Sequence, residues 1–169
     1  MDSLKGYLAP LGRLLMSSLF IWAGYHKLMN PGGTAQAFAE RYHVPLPDVA
    51  VWIAVVIELI GGLMILVGFQ TRWVALVLAI FCLGTGFGAH LPIGDVGNMI
   101  NFYKNLVMAG GFLYVAAYGP GGLSVDHATG MEGLAALRAN GPLARWMASA
   151  QAQSFRAVNL LWALAFDDP

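Results

Sequence analysis

Few features constrain this chain as tightly as the segment Val49–Phe69, VAVWIAVVIELIGGLMILVGF, in which Glu58 is the one ionisable side chain. At about 1.5 Å of rise per residue, a helix of this length crosses a bilayer core of about 30 Å. A carboxylate near the middle of such a span costs about 2.5–3.5 kcal/mol on insertion scales unless a partner or water satisfies it. The segment therefore predicts a membrane helix, and Glu58 marks a candidate site within it.

Three more apolar segments accompany it. The first is Leu14–Leu28, bounded by Arg13 and Lys27, and it reaches membrane length if those two cations snorkel outward from the helix ends. The third is Trp73–Leu91, stopped by Pro92 and Gly94, and the fourth is Asn101–Tyr118, stopped by Gly119-Pro120-Gly121-Gly122. Only Gln70-Thr71-Arg72 separates the second from the third, which predicts a tight antiparallel hairpin. The expected fold is all-α: a polytopic bundle of four transmembrane helices over residues 1–128, then a C-terminal extension over 129–169 with amphipathic, interfacial helices. The first segment lacks a small-x-small cleavage site before the next charges and reads as a retained span. Gly61/Gly62, Gly84/Gly88 and Gly110/Gly111 read as positions of close helix packing.

The whole composition agrees: 58% hydrophobic, 11% charged, with a mean hydropathy of +0.64. Ordinary soluble domains carry about 25% charged residues. The zero net charge leaves no basic cluster for phosphates, so nucleic acid is excluded as a partner. A single cysteine, Cys82, excludes an internal disulfide, a CxxC pair and a cysteine zinc site.

With four spans, both termini share a side. That side holds Lys5, Arg13, Arg72, Arg138, Arg145 and Arg156, against Lys27, Arg41 and Lys104 on the other. The positive-inside rule then places both termini in the cytoplasm of a multi-pass inner-membrane protein. In this topology His26 and Lys27 close the first span, His90 closes the third, and Asn98, Asn101, Lys104 and Asn105 open the fourth, all at the outer face. Glu58 lies about 13 Å deep from that face at helical rise. One pocket in the outer half of the bundle is expected to gather them, with Asn98, Asn101 and Asn105 on one helix stripe. The structural alternative pairs Glu58 with Lys27, Lys104 or His90 as a registry device.

Other chemistries have thinner support. His26 and His90 could in principle ligate haem or, with Glu58, a metal, but no further residue supports either, and no metal is assigned. Ser124, Asp126 and His127 are triad residue types on consecutive loop positions, which reads as a capped turn. Gly84, Gly86 and Gly88 lack the preceding strand of a dinucleotide site.

The order of short motifs resembles the DoxX family of small four-helix membrane proteins. These are Gly24-x-x-Lys27 with Pro31, Glu58-Leu-Ile-Gly-Gly62, His90, Lys104-Asn105-Leu106 with Gly110-Gly111, and Gly119-Pro120-Gly121-Gly122-Leu123-Ser124-Val125-Asp126. The resemblance covers about residues 8–128. It implies a four-helix fold, an association with membrane oxidoreductase complexes, and Lys27, Glu58, His90, Lys104 and Asn105 as functional positions.

Three functions fit these readings. In the first, the protein is a membrane subunit of a quinone-linked oxidoreductase: Glu58 and His90 exchange protons, and Lys27, Lys104 and Asn105 hold a quinone headgroup. In the second, it is a structural or assembly subunit. In the third, it is a small-solute carrier. No intrinsic cofactor motif is evident, so quinone is the one cofactor expected, and electrons require a partner. Residues 131–169, with Leu160, Leu161, Trp162, Leu164 and Phe166 at their apolar end, are expected to lie on the cytoplasmic leaflet or dock partner subunits.

Overall fold

The computed structural model describes the backbone of residues 2–91 and 95–130, with side chains from Gly6 onward. Residues 1–129 form one compact unit. The expectations for Pro92 and Gly94, and for the arm 131–169, fall outside the described residues.

Six helices follow one another: α1 Asp2–Met29, α2 Pro31–Tyr42, α3 Pro47–Val67, α4 Thr71–His90, α5 Val96–Tyr118 and the short α6 Val125–Ala128. Among the described residues there is no strand. Four of the helices, α1, α3, α4 and α5, make the bundle. Of these, α3 and α4 are long and apolar enough by themselves to cross a membrane. The other two are as long, 28 residues for α1 and 23 for α5, but carry polar side chains along their length. Large apolar residues cover the outside of the bundle: Leu15, Trp73 and Val107 are 66%, 68% and 74% exposed. Water would penalise a surface of this kind at every side, whereas lipid does not.

The first helix begins well before the predicted Leu14, and Arg13 does not snorkel outward. It is 3% exposed, inside the bundle. Its guanidinium donates to Ile65 O at 3.5 Å, to Leu66 O at 3.4 Å, and to Leu123 O. Those are carbonyls of the last turn of α3 and of the loop before α6. A cation at a helix C-terminus meets both the orphan carbonyls and the negative end of the helix dipole.

The hairpin between α3 and α4 turns on Gly68, whose φ of +74° is left-handed. The Phe69 N–H returns to Met64 O at 2.9 Å, a helix stop that favours glycine. A Cβ at Gly68 would also strike the Arg13 guanidinium and lie 2.5 Å from Ser124 Cβ. Just beyond, the Asp126 carboxylate accepts from Gln70 N at 2.7 Å and Thr71 N at 2.8 Å. It thereby supplies, from 55 residues away, the cap that α4 lacks locally. Arg72 donates to Ala116 O and Ala117 O at 3.1 and 2.5 Å and closes the end of α5. Ser124 caps α6, accepting from His127 N at 3.2 Å, as the turn reading expected.

Above this clamped end lies the core: Phe20, Ile65, Ala75, Leu78, Ala79, Cys82, Ala109 and Phe112. Phe20 and Phe112 meet edge to face at 5.1 Å. A second, smaller cluster of Ala35, Val51 and Val55 seats α2 on α3. The α2 helix has no counterpart among the four predicted segments. It starts at Asn30, whose side chain accepts from Gly33 N, with Pro31 in the first turn.

Candidate functional site

Two helix pairs, α1 with α3 and α4 with α5, pack tightly at the clamped end and leave an open cavity of about 900 Å³ between them toward the other end. Its walls are mostly apolar. The polar groups in them come from both pairs: Lys27 and Glu58 on one side, Thr85, His90, Asn101, Lys104 and Asn105 on the other. Phe38 and Tyr42 of α2 and the loop His43-Val44-Pro45 complete the lining.

The Lys27–Glu58 wall is built by backbone proximity. Gly24, one turn before Lys27, lets α1 approach so closely that a Cβ there would lie 2.6 Å from Leu59 N. Gly62 does the same from α3, where a Cβ would lie 3.1 Å from Ile21 N. The first of those contacts falls within Val56–Ile60, which forms a wide π-type turn in which the Gly61 N–H reaches back to Val56 O. A π-turn inserts one residue into a helix and rotates what precedes it, a common device at functional sites. Glu58 sits in this turn at 7% exposure. Its Oε2 accepts from Lys27 Nζ at 2.6 Å, an ion pair as well as a hydrogen bond.

The opposite wall is a polar ladder on α4 and α5. Thr85 Oγ1 donates to Asn105 Oδ1 at 3.2 Å and also meets Phe81 O at 2.9 Å. Asn105 Nδ2 donates to Asn101 O at 2.9 Å, and Lys104 Nζ to Asn101 Oδ1 at 3.1 Å. Gly86 allows the two helices to touch here, since a Cβ on it would lie 3.0 Å from Asn105 Cβ. At the end of α4, the His90 ring stands edge-on to Tyr42 at 6.1 Å. Its Nδ1 is buried with no hydrogen-bond partner among the described residues.

Lys27, Glu58, His90, Asn101, Lys104 and Asn105 thus share one cavity. His26 does not belong to it: the residue is exposed, and its ring lies tilted against Trp22 at 4.4 Å. The helix α5 begins at Val96, early enough for the asparagine spacing to be helical, but Asn98 does not line the cavity; its backbone N–H donates to Asp95 Oδ1 at 2.8 Å in the cap of α5. Gly84 and Gly88, expected to pack helices, line the cavity instead, and a Cβ at either would meet nothing within 4 Å among the described residues. No cluster of three metal-ligating side chains exists among the described residues. Sequence reasoning missed Tyr42 and His43, because α2 was not foreseen, and Thr85, whose hydroxyl gives no signal in an apolar segment. The Asn30-Pro31 pair was the available signal for α2.

Fold and cavity together define a helical integral membrane protein with a mostly apolar chamber in the bundle that carries a few polar groups. Residues 8–91 match the DoxX family model. The chain is 41% identical over 121 residues to the inner membrane protein YphA of Escherichia coli (strain K12), covering 69% of this chain and 86% of that one. It is 42% identical over 119 residues to the inner membrane protein YqjF of the same organism, covering 69% and 87%. This chain belongs to the DoxX family. No solved structure matches it.

Proposed function

We propose that this protein is the membrane subunit of a quinone-linked oxidoreductase and that the cavity receives the quinone headgroup. The observation that carries the reading is a largely apolar chamber of about 900 Å³ with cationic and amide donors on two facing walls. Pockets of this size with a few convergent polar groups suit small amphipathic ligands. A quinone offers two carbonyl oxygens and a flat apolar ring. Lys27 on one side and Lys104 with Asn105 on the other are the donors for those oxygens. Reduction of a quinone consumes two electrons and two protons. Electrons come from a partner, because the chain carries no redox motif, while Glu58 and the unpartnered His90 nitrogen exchange protons with the ring oxygens. In this reading both termini are cytoplasmic, and residues 131–169 dock the partner subunit or lie on the leaflet.

The 2.6 Å pair also supports a second reading, a structural subunit whose register the pair fixes. Solvent extraction and spectroscopy of the purified protein separate them. The oxidoreductase reading expects a co-purifying quinone, retained by the wild type and lost from a folded Glu58→Gln variant. A protein that yields no quinone and shows no saturable quinone binding overturns it.

A further inference from the structure

The cavity is not sealed within the bundle. Several of its lining residues also face outward: Ile53 on α3 is 54% exposed, and Gly84 and Gly88 on α4 are exposed. The two helices pair closely near their hairpin, where a Cβ on Gly61 would stand 3.4 Å from Leu78. With Gly61 opposite Leu78 in an antiparallel pair, Ile53 and Ala54 stand level with the turn from Gly84 to Gly88. At that level contact is lost: among the described residues, a Cβ on Gly84 or on Gly88 would find nothing within 4 Å. The gap lies between the two helices most suited to cross the membrane, so it opens onto lipid rather than water. Inside the same space stand the Lys27–Glu58 pair and the buried, unpartnered His90 Nδ1.

We infer that the α3–α4 seam at Ile53, Gly84 and Gly88 is a lateral portal, through which a ligand with a polar ring and a long apolar tail enters from the bilayer and leaves its tail in the lipid. This rests on the quinone reading and narrows it to tailed, membrane-borne quinones. The two glycines remove side chains along a path one turn apart on α4, which is the shape an alkyl chain requires. A leucine at either position adds a side chain to that path, starting from a Cβ that meets nothing within 4 Å among the described residues.

The test uses the full-length protein in lipid nanodiscs, titrated with two probes of identical headgroup: a benzoquinone bearing a decyl tail, and the same benzoquinone without one. Binding is read by quenching of tryptophan fluorescence, to which Trp22 in the cavity wall contributes. Gly84→Leu and Gly88→Leu should each weaken the decyl quinone at least tenfold and leave the tail-less quinone within twofold, which also shows that the site is folded. Gly110→Leu, at a glycine equally free of neighbours but outside the cavity lining, should change neither. Equal weakening of both probes, or no effect on either, overturns the portal while the quinone reading stands. A wild type that binds neither probe overturns the quinone reading, and the portal with it.

Discussion

Removing the cation from the Lys27–Glu58 pair should do far more harm than removing both charges. The Glu58 side chain is 9% exposed and Lys27 21%, and the two meet at 2.6 Å across α1 and α3. In Lys27→Met the carboxylate loses its counter-ion while staying inside an apolar wall. Breaking a buried pair in this way costs about 3–5 kcal/mol, and insertion scales price a lone central charge at about 2.5–3.5 kcal/mol. We take about 3 kcal/mol, since Lys27 keeps some access to the open cavity. For a bundle of this size that is a fall in melting temperature of roughly 10 °C. Glu58→Gln should cost less, because the amide still accepts from Lys27 and the ammonium can turn toward the cavity. The double variant Lys27→Met/Glu58→Gln should recover most of the loss, since a neutral pair leaves no charge to desolvate. Thermal unfolding of all four proteins in the same lipid gives the coupling energy directly. If Lys27→Met melts with the wild type, or the double variant is as unstable as the worse single one, the pair is not a buried interaction and this account of the wall is wrong.

Three further outcomes follow from the clamped end and the helix crossing. Arg13→Met should destabilise by roughly 2–4 kcal/mol, because the last carbonyls of α3 lose their cationic donor, and Arg13→Lys should recover only part of this, as measured by thermal unfolding. Asp126→Ala should cost about 1–2 kcal/mol by removing the distant cap of α4, and hydrogen exchange should speed up at Gln70 and Thr71 amides first. Gly24→Ala should lower the melting temperature and weaken the Lys27–Glu58 coupling, because its methyl would lie 2.6 Å from Leu59 N; Gly84→Ala, with no neighbour within 4 Å, should leave both unchanged.

The long apolar helices were legible because their signal is local, a run of apolar residues of sufficient length. The gathering of Lys27, Glu58, His90, Lys104 and Asn105 was legible because span order alone fixes which ends share a face. Arg13 and Asp126 were not legible as core residues. Each satisfies backbone groups more than 50 positions away, and nothing in the neighbourhood of either records those partners. The glycine pairs show the same limit. Gly24 and Gly62 are crossing points while Gly84 and Gly88 are open space, and a glycine-rich apolar sequence looks alike in both cases. The π-turn that aims Glu58 is equally silent, since VIELI differs in no way from an ordinary helical stretch.

The central claim is that the chamber between the two helix pairs holds a quinone ring, and photo-crosslinking tests it most directly. A benzoquinone carrying an azido group on its ring, irradiated with the protein in nanodiscs and mapped by mass spectrometry, should label residues of the cavity wall such as Tyr42, His90 and Lys104. Excess unlabelled quinone should suppress that labelling. Labelling spread over the outer surface at Leu15, Trp73 or Val107, and not reduced by competitor, would contradict the account.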